Sequence, residues 1–162
     1  MLGHSFPTRR SSDPIRALSP AVNDTFTAMT CIDWIGDCLC RITTGWHPQR
    51  IHRDRDGYIR LVAYQADYNR LVQRAFEKIR QAGVGMPAVM IRQLDALYTI
   101  LEQTSNPDRR QVLLDQAVLI TNSCAASVVE KADRDDVQRL FEALLRLNDG
   151  LPSTPRTMAA RG

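Results

Sequence analysis

The sequence predicts a mainly α-helical fold, with about five amphipathic helices in a bundle and one small β-hairpin between the first and second helices. Apolar residues recur every three or four positions along five separate segments, which is the spacing of one buried helix face. Proline, asparagine and glycine stand at the ends of these segments, where helices begin and stop. Between the first two segments the helical spacing breaks, and an Asp-Gly pair separates two runs of β-prone residues.

The first helix begins at Asn23 or Asp24, because either side chain can accept a hydrogen bond from a backbone N–H that lacks a partner inside the helix. Gly45 ends it. Its buried stripe is formed by Ala28, Ile32, Ile35, Leu39 and Ile42, and Cys31 and Cys38 widen that stripe. The first helix is therefore predicted to pack along one face only.

The hairpin is predicted from the Asp56-Gly57 pair, which lies between the β-prone runs 49–53 and 58–63. An isolated two-stranded hairpin is only marginally stable in water. We therefore expect this hairpin to lie on the helices.

Four further helices follow, each with its own start or stop residue. Gly83 ends the second, Pro87 opens the third, Asn106-Pro107 starts the fourth, and the fifth runs near 133–147. The predicted core positions of the second and third helices are Tyr68, Leu71, Val72, Ala75, Phe76 and Ile79, then Met90, Ile91, Leu94, Leu97, Tyr98 and Leu101. Those of the fourth and fifth include Leu113, Leu114, Ala117, Val118, Cys124 and Val128, then Val137, Leu140, Phe141 and Leu144.

The two ends of the chain are predicted to lie outside the domain. Residues 4–13 read HSFPTRRSSD, which matches a sequencing adapter codon for codon, so residues 1–13 are expected to be an artefact and disordered. We expect native sequence upstream of Pro14 to be missing. One helical domain then covers residues 14–149, and the proline-containing tail, 150–162, is expected to be disordered.

Charge, cysteine usage and hydropathy exclude several classes of protein. Setting aside four arginines and one aspartate in the two ends reduces the 21 basic and 18 acidic residues to 17 of each. A neutral domain argues against a nucleic-acid partner, which requires excess positive charge. The four cysteines have neither zinc nor disulfide spacing and are expected to be reduced. No apolar run approaches the ~18–20 residues of a membrane span, so the chain as given is expected to be soluble.

One candidate chemical site lies in the hairpin region. His47, His52, Asp54 and Asp56 alternate there, and they could share a face as general bases or ligands of a hydrolytic or small-molecule-binding site. The other interpretation is a solvated hairpin. The sequence has no glycine-rich phosphate loop, no G-x-S-x-G and no C-x-x-C, so we predict no cofactor, no metal ligand set and, on balance, no enzyme.

The segment before the first helix is the other candidate. Arg16, Ser19, Asn23, Asp24 and Thr27 gather charge and hydroxyl groups around Pro20. They form either a binding or subunit-contact site, or a turn and helix cap that serve the fold alone.

Trp34 falls between the apolar stripe and the charged side of the first helix. It is expected to be only partly covered within one subunit, as an interface anchor would be, which predicts a homo-oligomer. In the alternative interpretation Trp34 packs on the hairpin around Trp46.

The stretch RALSPAVND, followed by Thr27-Ala28 and CIDWI at 31–35, resembles the opening of the C-terminal part of a bacterial family of predicted membrane proteins of unknown function, DUF2254. The resemblance departs from the family pattern at Thr25, where proline is usual. It implies a parent with N-terminal transmembrane helices in the bacterial inner membrane, with this fragment as its soluble part on the cytoplasmic side. The leading hypothesis is therefore a non-enzymatic interaction or assembly domain whose first partner is the missing transmembrane part.

Overall fold

In a computed structural model of the chain, residues 24–45, 50–63 and 67–150 are described. Within these ranges lie five helices and one antiparallel hairpin, as the sequence predicts. The elements are α1 Thr25–Gly45, β1 Ile51–Arg53, β2 Ile59–Val62, α2 Tyr68–Ala82, α3 Pro87–Glu102, α4 Pro107–Ser127 and α5 Lys131–Asn148. The predictions for residues 1–13 and for the tail concern residues outside these ranges, apart from Gly150 in the turn after α5.

The helix ends follow from local chemistry. The Asp67 side chain caps α2 by accepting a hydrogen bond from the N–H of Asn69, and Gly83 ends that helix with its own N–H bonded to Ile79. Pro87 occupies the first position of α3, where a missing N–H costs nothing. Asn106 caps α4 by accepting from the N–H of Arg109. The predicted starts of α3 and α4 are confirmed.

The centre of the bundle is α3. It packs on α1, α5 and α4, whereas α2 packs mainly on α4. A helix surrounded by neighbours is apolar around most of its circumference, and α3 buries nine residues: Val89, Met90, Gln93, Leu94, Ala96, Leu97, Tyr98, Ile100 and Leu101. By contrast, α1 lies at the edge of the bundle, with one face on α3.

Small residues bring α1 close to α3. A Cβ atom added to the buried Gly36 would lie 3.2 Å from the Cβ of Ala96, which is closer than ordinary van der Waals contact. The glycine therefore sets how near the two helix axes approach. This contact was not anticipated from the sequence, where Gly36 interrupts no pattern.

One arginine ties three helices together. From α4, Arg110 donates hydrogen bonds to the carbonyl oxygens of Leu101 and Thr104, at and just beyond the end of α3, at 3.2 and 2.8 Å. It also donates to the Leu147 carbonyl and the Asn148 side chain at the end of α5, at 2.8 and 3.0 Å. Carbonyl groups at a helix C-terminus have no intrahelical partners. Arg110 therefore provides hydrogen-bond donors for such carbonyls at the ends of both α3 and α5.

The hairpin differs from expectation in its surroundings. Its turn is built as predicted, with Gly57 at φ +86°, a conformation that side-chain-bearing residues rarely adopt. However, every strand residue is exposed, and neither strand packs extensively on any described helix. The expectation that the hairpin lies on the helices is therefore wrong. Its strands are supported by each other and by the turn.

Candidate interaction surface

The start of α1 holds the described part of the opening motif. The side chain of Asp24 accepts hydrogen bonds from both the backbone N–H of Thr27, at 3.0 Å, and the Thr27 hydroxyl. This is the geometry of a helix cap, because the carboxylate satisfies an N–H group that has no intrahelical acceptor. The capping interpretation is therefore confirmed for Asp24. Arg16, Ser19 and Asn23 lie outside the described residues, so the binding-site interpretation of the motif stays a prediction.

The cap favours the charged carboxylate. The hydrogen bonds from the hydroxyl and then the N–H of Thr27 lower the pKa of Asp24 below its usual value. The N-terminal end of a helix dipole acts in the same direction. The folded cap therefore keeps Asp24 ionised to a lower pH than the same side chain in the unfolded chain.

The outer face of α1 carries two large exposed aromatic side chains. Trp34 is 59% exposed, and Phe26, two turns earlier, is 77% exposed. Cys38 lies exposed one turn after Trp34. The expectation that Trp34 is only partly covered is confirmed. Its exposure does not support packing on the hairpin around Trp46, and Trp46 itself lies outside the described residues.

Polar residues border this aromatic row. On one side, Asp33 forms an ion pair with Arg92 of α3, with 3.2 Å between Oδ1 and Nε and both side chains nearly half exposed. Arg41, seven positions after Trp34 and so on the same side of the helix, is exposed as well. Exposed ion pairs contribute little to stability. We name the outer face formed by Phe26, Thr30, Trp34 and Cys38 the α1 row.

An open cleft lies where α1 crosses α3. It encloses about 310 Å³ and is lined by Asp33, Gly36, Asp37, Arg92, Asp95, Ala96 and Thr99. Three of these residues are carboxylates, but no group of three or more His, Cys, Asp or Glu side chains is placed to hold a metal ion within the described ranges. The cleft lies beside the small residues Gly36 and Ala96 at the helix crossing.

In the hairpin, the described residue Asp54 organises the turn. The Asp54 carboxylate accepts hydrogen bonds from the backbone N–H groups of Asp56 and Tyr58, at 3.0 and 2.9 Å, and from Arg60 at 2.6 Å. The Arg60 contact, more than any other, lowers the pKa of Asp54. His52 and Asp56 are exposed, and His47 lies outside the described residues. Asp54 is therefore committed to the turn.

A polar cluster that the sequence did not indicate joins the ends of α1 and α2. The hydroxyl oxygens of Thr43 and Tyr68 lie 2.8 Å apart, and Arg109 of α4 donates to the Thr43 carbonyl at 2.7 Å. The Arg109 guanidinium also lies 5.0 Å from the centre of the Tyr68 ring. Burial, more than any other factor, raises the pKa of Tyr68. These three residues span three helices, so no local pattern could have revealed them.

The described residues form a helical bundle with two exposed aromatic side chains on α1 and an exposed hairpin. The chain belongs to the DUF2254 family, described as predicted membrane protein, which it matches over residues 14–99. No described helix has both the length and the apolar character that crossing a membrane requires.

The chain is also similar to uncharacterised proteins of mycobacteria. It is 24% identical over 120 residues to one from Mycobacterium bovis and to one from each of two strains of Mycobacterium tuberculosis. These alignments cover 74% of this chain and 23% of each relative, so the chain spans about a quarter of the length of the curated relatives it matches. No solved structure matches the chain.

Proposed function

We propose that this domain is a non-enzymatic assembly module of an integral membrane protein, and that the α1 row is its contact with a second copy. The observation that carries the proposal is the exposure of Trp34 on the outer face of α1, at 59%. Tryptophan is among the residues most enriched at the centres of protein interfaces. The membrane connection is supported by the description of the family as predicted membrane protein.

The spacing of the α1 row suits a helix-to-helix contact. Phe26, Thr30, Trp34 and Cys38 are four positions apart, so they follow one another along the same side of the helix. The Thr30 hydroxyl donates to the Phe26 carbonyl within the helix, so it does not need a partner outside. Aromatic anchors with charged residues at their border are the usual layout of an interface core and rim.

A second copy of the chain is the simplest partner for such a row. Two identical helix faces can meet across a two-fold axis, so that each Trp34 contacts the same region of the other subunit. Domains fixed beside membrane-spanning segments also meet at high effective concentration. A contact that is weak between free fragments is then sufficient in the parent protein.

The cytoplasmic side of the bacterial inner membrane is the proposed location. Cys38, Cys40 and Cys124 are free thiols, although Cys38 is exposed and Cys40 is partly exposed. Free thiols persist in reducing compartments, whereas exported domains tend to form disulfides. This favours the cytoplasmic face for a protein of a membrane family.

The test is sedimentation velocity on the 162-residue chain over a range of concentrations. Wild type is expected to show a mass that rises with concentration, and Trp34→Ala is expected to remain monomeric with an almost unchanged melting temperature, because the exposed indole contributes little to the core. Leu119→Ala is the matched control, since Leu119 is a large exposed residue on α4. A chain that stays monomeric at every concentration, with Trp34→Ala only lowering the melting temperature, would contradict the proposal.

Cross-linking gives a second measurement of the same contact. Cys38 is exposed beside Trp34, whereas Cys31 and Cys124 are buried. Burial raises the pKa of Cys40, so its thiolate is less available for reaction. A short bis-maleimide should therefore link two subunits through Cys38, and Cys38→Ser should abolish the dimer band.

A further inference from the structure

We propose that the β1–β2 hairpin is a second contact surface and that its partner is an anionic membrane surface. The hairpin combines exposed apolar side chains with an excess of arginine. This inference rests on membership of a membrane-protein family and not on the α1 row. Either proposal, the subunit contact or the membrane contact, can therefore be disproved without affecting the other.

The apolar part of the hairpin is unusually exposed for a folded domain. Its large apolar side chains are between 45% and 68% exposed, and they are Ile51, Tyr58, Ile59, Leu61 and Val62. Scattered exposed apolar residues are normal, but five on one short hairpin are a concentration that indicates an interaction site.

The apolar side chains lie on both faces of the hairpin. Ile51 pairs with Val62, so these two share one face, while Leu61 pairs with His52 on the other. A flat protein surface would cover one face and leave the opposite face in water. The headgroup layer of a bilayer surrounds an inserted tip from both sides, and tyrosine is enriched at that depth. The two-faced pattern therefore favours a bilayer over a docked protein.

The charge of the hairpin selects an anionic partner. Arg50, Arg53, Arg55 and Arg60 are all exposed, against Asp54 and Asp56, so the segment carries a net charge of +2. Two copies of the hairpin would bring like charges together, whereas acidic phospholipids attract basic segments. Long arginine side chains can also lay their apolar stems along the membrane and keep the guanidinium at the phosphates.

The hairpin lies in the chain between two helix ends that contact each other. The hydroxyl groups of Thr43 and Tyr68 are in contact, which brings the end of α1 next to the start of α2. The hairpin is the segment between these two points, and neither strand packs extensively on a described helix. An exposed element with few contacts to the helices can enter a headgroup layer without disturbing the core.

Vesicle flotation of the 162-residue chain tests the proposal. Two vesicle types are compared, one of pure phosphatidylcholine and one containing about 30 mol% phosphatidylserine. Wild type should float with the anionic vesicles, and the bound fraction should fall as salt is raised, because screening weakens charge attraction. Binding to pure phosphatidylcholine should be much weaker.

Paired substitutions test whether vesicle binding depends on the hairpin or on other parts of the surface. Arg50→Gln with Arg55→Gln removes two positive charges and should weaken binding to anionic vesicles about thirty-fold. Arg74→Gln with Lys78→Gln removes two exposed charges from α2 and should leave binding nearly unchanged. Leu61→Ser with Val62→Ser should weaken binding about tenfold or more, while Val118→Ser with Leu119→Ser on α4 is its matched control.

Three outcomes would overturn the proposal. In the first, wild type floats with neither vesicle type; in the second, the α2 pair reduces binding as much as the hairpin pair. In the third outcome, wild type does not float but its sedimentation mass depends on Leu61 and Val62, which would assign the hairpin to protein contacts. Circular dichroism should show the same helix content for all variants, because the substituted positions are exposed.

Discussion

At the scale of single residues, Asp24 shows how a local hydrogen bond decides where a helix begins. Its carboxylate accepts from two donors of one residue, Thr27. The cap does not depend on the rest of the bundle, which is why it could be predicted from the sequence. It also makes the cap sensitive to a single substitution and to protonation.

Asp24→Ala is expected to lower the melting temperature by a few degrees at neutral pH, with self-association unaffected. The folded-state pKa of Asp24 is lowered, so the stabilisation is fully present above the ordinary value of 3.8 and is lost as the pH falls through the lower folded value. The difference between wild type and Asp24→Ala should therefore be constant around neutral pH and shrink in strong acid.

Thermal melts over a pH series check this expectation. Asp24→Asn is the control, because its side-chain oxygen can still accept the Thr27 N–H without titrating. Loss of self-association at unchanged stability would instead assign the opening motif to binding.

At the scale of elements, the sequence could predict which segments form helices or strands and where they begin and end. This was possible because turn and cap chemistry is local. Asn106-Pro107 and Pro87 start helices where expected, and Gly57 closes the hairpin. Partners distant in sequence were not predictable. Arg110 reaches Leu147, which lies 37 positions away, and no spacing rule connects them.

The surroundings of the hairpin were mispredicted for a related reason. Leu61 and Val62 are adjacent in β2 and therefore point to opposite faces, so the sequence does not identify a face to bury. Exposure of Trp34 could be predicted, since its position on a helix fixes its direction. The partner of Trp34 could not be predicted, because a single sequence contains the residues of only one of the two contacting surfaces.

The crossing of α1 and α3 allows a test at the same scale. Gly36→Leu should lower the free energy of unfolding by about 1–3 kcal/mol, because the added side chain meets Ala96 in a packed crossing. Gly45→Leu is the matched control: no atom lies within 4 Å of an added Cβ there. Urea unfolding measures both. Equal effects at the two positions would mean that the close approach of the helices does not limit side-chain size.

At the scale of the whole molecule, the bundle presents two separate exposed surfaces, the α1 row and the hairpin. One is a helix face with two aromatic residues, and the other is a basic hairpin with apolar side chains on both sides. Their different chemistry suits different partners, a second subunit and a lipid surface.

Removal of residues 1–13 tests the predicted extent of the domain. If this segment is encoded by an adapter, it was never selected to pack, so the shortened chain should keep the melting temperature of the full chain within error. Scanning calorimetry of both chains decides it, and a decrease of several degrees would show that the segment contributes to the fold.

The central place of α3 has a consequence for synthesis on the ribosome. The chain emerges from its N-terminal end, so α1 leaves the exit tunnel before its packing partner exists. Until α3 has followed, Ala28, Ile32 and Leu39 face water beside an aromatic outer face that stays exposed in a single folded copy. The domain is therefore most prone to aggregate in the interval before α1 packs on α3. A pause in translation between these two helices would lengthen that interval.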